Sequence, residues 1–139
     1  MTVISKIIRI DSKGENDIVD ITEKTSKAVK ETKLKNGIVT VFVPGSTAAL
    51  TTIEYEQGLK DDFCGMLSRI APKEVKYEHE KRWHDGNGHS HIRASLVGPS
   101  LTIPFKEGSL ILGMWQQIVF LEMDIRQRKR DIILQIIGE

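Results

Sequence analysis

The chain has 139 residues, and its 20 Lys plus Arg against 19 Asp plus Glu leave a formal charge of +1. That length suits one domain that buries its core without disulfides, and charges spread along the chain exclude a dedicated nucleic-acid binder. No leader-like segment or run of 18 apolar residues occurs, so neither a membrane span nor secretion is expected, and the single Cys64 fits a reducing cytoplasm.

In chain order, "VISKIIRI" (3–10) reads as a first strand, "DSKGEND" as a polar turn and "DIVDI" as a short pairing strand. Thr22 and Thr25 open an amphipathic helix expected to run to about Leu34 and to end at Asn36-Gly37. "IVTVFV" (38–43) alternates as a strand up to Pro44-Gly45, and "STAALTTIEY" resumes as another. Leu59, Phe63, Met66, Leu67 and Ile70 fall at helical spacing before Pro72, with Cys64 on the buried side and Lys60, Asp61 and Asp62 on the solvent face. From Ile92 onward, short apolar runs parted by glycine or proline ("IRASLVG", "SLTIPF", "SLILGMW", "QIVFLEMD", "DIILQIIG") read as strands, with "KEG" (106–108) as a hairpin turn. The expectation is one compact α+β domain over residues 1–139, with a largely antiparallel sheet and two main helices.

The densest chemistry lies in "WHDGNGHSHIRAS" (83–95), which holds three of the four histidines. Taken as extended, it places His89, His91, Arg93 and Ser95 on one face. Two imidazoles on a strand suit zinc-like metals, with His79, His84 and Asp85 as sources of a third ligand. Gly86 and Gly88 free the backbone for a tight bend, and Asp85 or Asn87 can orient an imidazole. The bland alternative is a polar surface loop. Elsewhere, Ser46 and Thr47 offer hydroxyls and amides to a phosphate after a strand, although such a turn is more often only a turn. Glu54 stands in an apolar strand, where a carboxylate needs a ligand, a partner or an edge position. Trp115 and Gln116 face either a ligand or, for the indole, the core. "RQRKR" (126–130) reads as a solvated hairpin end.

In this order, "PGSTAALTTIE", "NGHSHIRASLVGPSLTIPF", "LILGMWQQIVFLEMD" and "IIGE" resemble the YjbQ family, also called UPF0047, across nearly the whole chain. The resemblance implies a compact α+β fold, a homotrimer and secondary thiamine-phosphate synthase activity, in which hydroxymethylpyrimidine diphosphate and thiazole phosphate join with release of pyrophosphate. Carried over residue by residue, it points to His79, His91, Arg93 and Gln116, and matches Glu54 to a glutamate of the family. Many members carry histidine where this chain has Gly45, so His89 is the candidate to replace that imidazole.

The expected roles are therefore His91, Arg93, Glu54 and Gln116 in catalysis, Ser46, Thr47, Asn87, Ser95 and Trp115 in substrate binding, and His79, His89 and His91 as metal ligands. A zinc-like divalent metal is favoured over magnesium and no organic cofactor is expected. The partner class is a small anionic or phosphorylated metabolite, with neither nucleic acid nor membrane involved. Two other functions fit the same residues: a metal-dependent hydrolase or lyase with Glu54 as base, and a trimeric metabolite-binding module without turnover.

Overall fold

The structure is a computed structural model that describes all residues 1–139. Its longest strands follow from β-branched residues at alternate positions. In β1 (Thr2–Asp11), Ile8 and Ile10 point inward, and in β8 (Lys129–Gly138) so do Ile132, Leu134 and Ile136. These two strands pair antiparallel along their full length, from Thr2 opposite Gly138 to Asp11 opposite Lys129. β3 (Asn36–Phe42) takes the other edge of β8, followed by β5 (Ser100–Lys106) and the two-residue β6 (Ser109–Leu110). The result is a five-stranded antiparallel sheet in the order β1-β8-β3-β5-β6. Its terminal hairpin turns at Glu107 and Gly108, both at positive φ (53° and 73°), the geometry of a two-residue turn that matches strand twist.

A second antiparallel sheet orders β2 (Ile18–Asp20), β7 (Gln117–Glu122) and β4 (Ala48–Ile53) as β2-β7-β4. The central strand β7 is apolar on both faces because both are covered. Ile118 and Phe120 meet the large sheet, whereas Val119 and Leu121 meet helices. Each fully buried Val, Leu, Ile or Phe contributes roughly 1.5–3 kcal/mol, so the 17-residue cluster between the sheets is the main source of stability. No helix is long and apolar enough to cross a membrane.

Four helices complete the fold: α1 (Thr22–Glu31), α2 (Gln57–Ile70), α3 (Glu78–Trp83) and α4 (Gly88–Val97). Thr25, Ala28 and Val29 seat α1 on the core. α2 starts at Glu56, whose carboxylate accepts the Gly58 and Leu59 amides, and lays Phe63, Cys64 and Leu67 against the outer face of the small sheet. Ala94 and Val97 of α4 join them there. The outer face of the large sheet keeps Val3, Ile7, Ile38 and Phe42 exposed.

Three expectations are corrected. "IRASLVG" belongs to helix α4, not to a strand, because Ser90, Ala94 and Val97 form a narrow helical face that fits against β4. α1 stops at Glu31, Lys33 turns the chain at φ 63°, and Asn36-Gly37 open β3 instead of ending the helix. In "SLILGMW" only Ser109 and Leu110 pair, and the chain then turns through 113–116.

Gly37 lies beside Gly138 in the large sheet, and a Cβ on it would stand 2.0 Å from the Ile137 carbonyl oxygen and 2.8 Å from the tip of Phe105. The backbone there cannot yield as a side chain would. Gly37→Ala is expected to cost about 3 kcal/mol, lowering Tm by about 10 °C in thermal unfolding. Gly113→Ala, whose Cβ has nothing nearer than 3.5 Å, is expected to leave Tm unchanged.

Candidate functional site

The histidine-rich stretch turns out to be the junction of two helices. His84 ends α3 in the left-handed conformation (φ 53°), Gly86 follows at φ 71°, and Asn87 opens α4. Gly88 allows α3 to close on α4, since a Cβ there would stand 2.5 Å from Tyr77 Cβ and 2.6 Å from Glu80 Oε2. The Gly88 amide donates to Glu80 Oε1 at 2.6 Å, and the Asn87 amide donates to Asp85 Oδ1 at 3.1 Å.

This closure gathers His79, Glu80, Asp85 and His91. His79 Nδ1 lies 3.7 Å from Glu80 Oε1 and 3.6 Å from Asp85 Oδ1, and one donor atom from each of the three residues falls within 4.8 Å of the others. The His79 and His91 rings are 4.4 Å apart at their centroids. His79 Nδ1 is buried without a hydrogen-bond partner, the only such side-chain nitrogen or oxygen in the chain. Buried polar atoms are normally satisfied, so this nitrogen, beside two carboxylates, is the unmet polar group of the chain.

Beneath the cluster runs a buried polar network. Asn87 Nδ2 donates to Asp124 Oδ1, while its Oδ1 accepts from the Ser90 hydroxyl and the Ile125 amide. Thr47 Oγ1 donates to Asp124 Oδ2 at 3.1 Å and accepts from Arg130 Nη2 at 2.9 Å. Arg130 is completed by Glu122, with Nε to Oε2 at 2.9 Å and Nη2 to Oε1 at 2.5 Å. Burial pushes the Asp124 carboxyl up, but the Arg126 amide, Asn87, Thr47 and the charge of Arg128 outweigh it and hold the carboxyl below its ordinary range. Arg126 and Arg128 stand 3.7 and 3.6 Å from Asp124, which makes the segment read as a solvated hairpin end a basic rim beside Asn87.

The helix separates residues that an extended strand would align. His89, 1% exposed, bonds through Nε2 to Glu15 and lies beside Tyr77, away from the His79–His91 pair. Burial raises the Glu15 carboxyl, yet His89 and Lys73 together hold it below its ordinary range. Arg93 is buried on the same side, its Nε donating to the Ala71 carbonyl at 3.0 Å and its Nη1 3.8 Å from Glu15. Ser95 returns its hydroxyl to the His91 carbonyl and, with Ser46 and Gly45, lines a small cleft of ≈ 140 Å³.

Glu54, Trp115 and Gln116 sit at the far end of the β4–β7 ladder. Ala48 opposes Glu122 near the cluster, whereas Ile53 opposes Gln117, so five residue steps of roughly 3.4 Å put about 17 Å between the ends. Glu54 is exposed beyond β4 and is not the buried carboxylate that an apolar strand implies. Trp115 is 68% exposed, so the indole does not pack in the core. Gln116 Nε2 donates to Thr52 Oγ1, and its Oε1 accepts the Gly113 amide. Sequence reasoning passed over Glu80, Glu122 and Asp124, and it read Arg130 as part of a solvated hairpin end, whereas that side chain is buried against Glu122 and Thr47. The available signal was parity, since Glu122 and Arg130 continue the inward positions of apolar strands.

The family model for UPF0047 protein YjbQ-like matches residues 6–139. The UPF0047 protein MJ1081 of Methanocaldococcus jannaschii is 37% identical over 142 residues, covering 100% of this chain and 99% of that protein. The UPF0047 protein YugU of Bacillus subtilis is 30% identical, covering 96% and 98%. Among solved structures, a YbjQ-like protein of unknown function from Sulfolobus solfataricus superposes with a TM-score of 0.93 at 32% identity, covering 99% of both chains.

The lowered carboxyls of Asp124 and Glu15 fix the sign of the acid response. Their stabilisation is complete above the ordinary carboxylate range and is lost as pH falls through their lowered values. Asp124→Asn, which has no proton to gain, is expected to lose about 1–3 kcal/mol at neutral pH and to show a shallower acid limb in urea unfolding between roughly pH 5 and 2.

Proposed function

This chain belongs to the UPF0047 family of YjbQ-like proteins, and from that premise we propose that it is a metal-dependent enzyme acting on a small phosphorylated metabolite at the α3–α4 junction. The observation that carries the reading is the orphaned His79 Nδ1 between Asp85 and Glu80. Donors at 2.0–2.2 Å on one tetrahedral ion lie roughly 3.4 Å apart, close to the 3.6 and 3.7 Å separations found here. Imidazole with carboxylates suits a zinc-like ion better than magnesium. Such an ion supplies positive charge where a phosphate group departs.

In this reading His79, Glu80 and Asp85 hold the ion, and His91 stands beside them as a further donor. Arg126 and Arg128, held at the rim by Asp124, receive phosphate oxygens. The reaction that agrees with the family resemblance is the joining of hydroxymethylpyrimidine diphosphate to thiazole phosphate. The thiazole nitrogen forms the new C–N bond at the pyrimidine methylene while the C–O bond to diphosphate breaks, and diphosphate leaves with the electron pair. No side-chain nucleophile is required. Arg93 has no part in this scheme, because its guanidinium is engaged by Ala71 and Glu15 inside the fold.

Trp115 and Gln116 enter only from another subunit. The separation of about 17 Å along β4 keeps them from the cluster of their own chain, whereas a homotrimer supplies them from a neighbour. Exposed Ile111, Met114 and Trp115 offer the apolar surface that such an assembly buries.

Elemental analysis of tag-free protein purified without chelator is expected to find near-stoichiometric metal that is lost in His79→Ala. His84→Asn, which tolerates the left-handed backbone, is expected to retain it. Absence of metal from the unaltered protein would refute the reading. For the assembly, co-refolding His79→Ala with Trp115→Ala is expected to restore turnover that neither variant shows alone, and no recovery would refute a site shared between subunits.

A further inference from the structure

We propose that Arg130, seated against Gly45, and Lys129 form a phosphate-binding subsite at the start of β8. This deepens the reading of the ligand as a small phosphorylated metabolite and rests on it for biological meaning, but its geometry does not depend on a metal. The Arg130 side chain is 7% exposed and its orientation is fixed by neighbours on one side only. Glu122 takes Nε and one proton of Nη2, and Thr47 takes the other proton of Nη2. Nη1, with two N–H groups, donates to nothing in the chain, and it is not sealed as His79 Nδ1 is.

Arg130 lines a broad cleft of ≈ 560 Å³ together with Pro44, Gln127, Arg128, Lys129 and Asp131. Gly45, at the edge of the smaller cleft beside Ser46, leaves room for Nη1, since a Cβ at that position would stand 2.9 Å from it. Its φ is not positive, so space rather than backbone conformation is what the glycine provides. Lys129 is exposed and has no ion-pair partner, whereas Asp131 is drawn toward Arg9 at 3.5 Å. A guanidinium locked by a carboxylate on one edge, with an unpaired lysine from the opposite face of β8 lining the same cleft, offers several donors to an oxyanion with several terminal oxygens. That favours a phosphate monoester or diphosphate over a carboxylate. Thr47 and Asp124 join this subsite to Asn87 and so to the His79 cluster, placing anion and metal at two ends of one network.

Isothermal titration with inorganic phosphate, on chelator-treated full-length protein at low ionic strength, tests the subsite. Saturable one-site binding is expected, weakened about tenfold or more in Gly45→Ala and in Lys129→Gln, with Tm recorded to show both variants folded. Acetate is expected not to compete. Absence of phosphate binding, equal binding in both folded variants, or acetate binding as tightly as phosphate would overturn the proposal. Phosphate binding that appears only with metal present would also overturn it, while leaving the metal reading intact. Phosphate bound undiminished by metal-free His79→Ala supports the subsite even if the metal reading fails.

Discussion

The pairing of Glu122 with Arg130 is the constraint on which the rest of the site depends. Both residues occupy inward positions, at the end of β7 and the start of β8, where the apolar layer between the sheets would otherwise continue. A buried charge that loses its partner typically costs about 3–5 kcal/mol, so neither can be removed alone without loosening that end of the sandwich. Once paired, the guanidinium orients Thr47, Thr47 orients Asp124, and Asp124 pins Asn87 at the head of α4. The position of α4, and with it His91, is thus referred back to an ion pair in the core.

From that base the two sides of α4 serve different ends. Residues 89 and 93 turn inward and are consumed by Glu15 and the Ala71 carbonyl, which ties the β1–β2 connection and the end of α2 to the helix. Residue 91, 200° around the helix from 89, faces His79 instead. Two histidines two positions apart therefore have separate environments, one a packed structural partner and the other a half-buried neighbour of the His79 ring. The basic rim at 126–128 is held against the same network, so positive charge is fixed beside the cluster without entering it.

Much of the architecture was legible because strands buried on one face advertise it by alternation, as in β1, β3 and β8, and because the Glu107-Gly108 turn has a specific backbone requirement. The histidine stretch was legible as a place of chemistry but not as a conformation. Short runs with Ile and Val read as strands, and the small-residue face of Ser90 and Ala94 carries little hydrophobic signal, so periodicity 2 won over 3.6. That single choice put His89 and Arg93 on the same face as His91. Glu80 and Asp124 stayed invisible for another reason. Their relevance arises from contacts eight and 37 residues away in sequence, with Gly88 and Asn87, which no local pattern encodes.

α3 buries none of its residues, and it is attached mainly through the Glu80–Gly88 hydrogen bond and the Tyr77 hydroxyl on the Pro72 carbonyl. An element with so little packing opens at a free energy well below that of the whole domain. Two of the cluster's donors ride on it, so anything bound between α3 and α4 acts on a local equilibrium before a global one. Occupancy would therefore register first as slowed hydrogen exchange at the amides of residues 80–84, while the melting of the sheets stayed nearly unchanged.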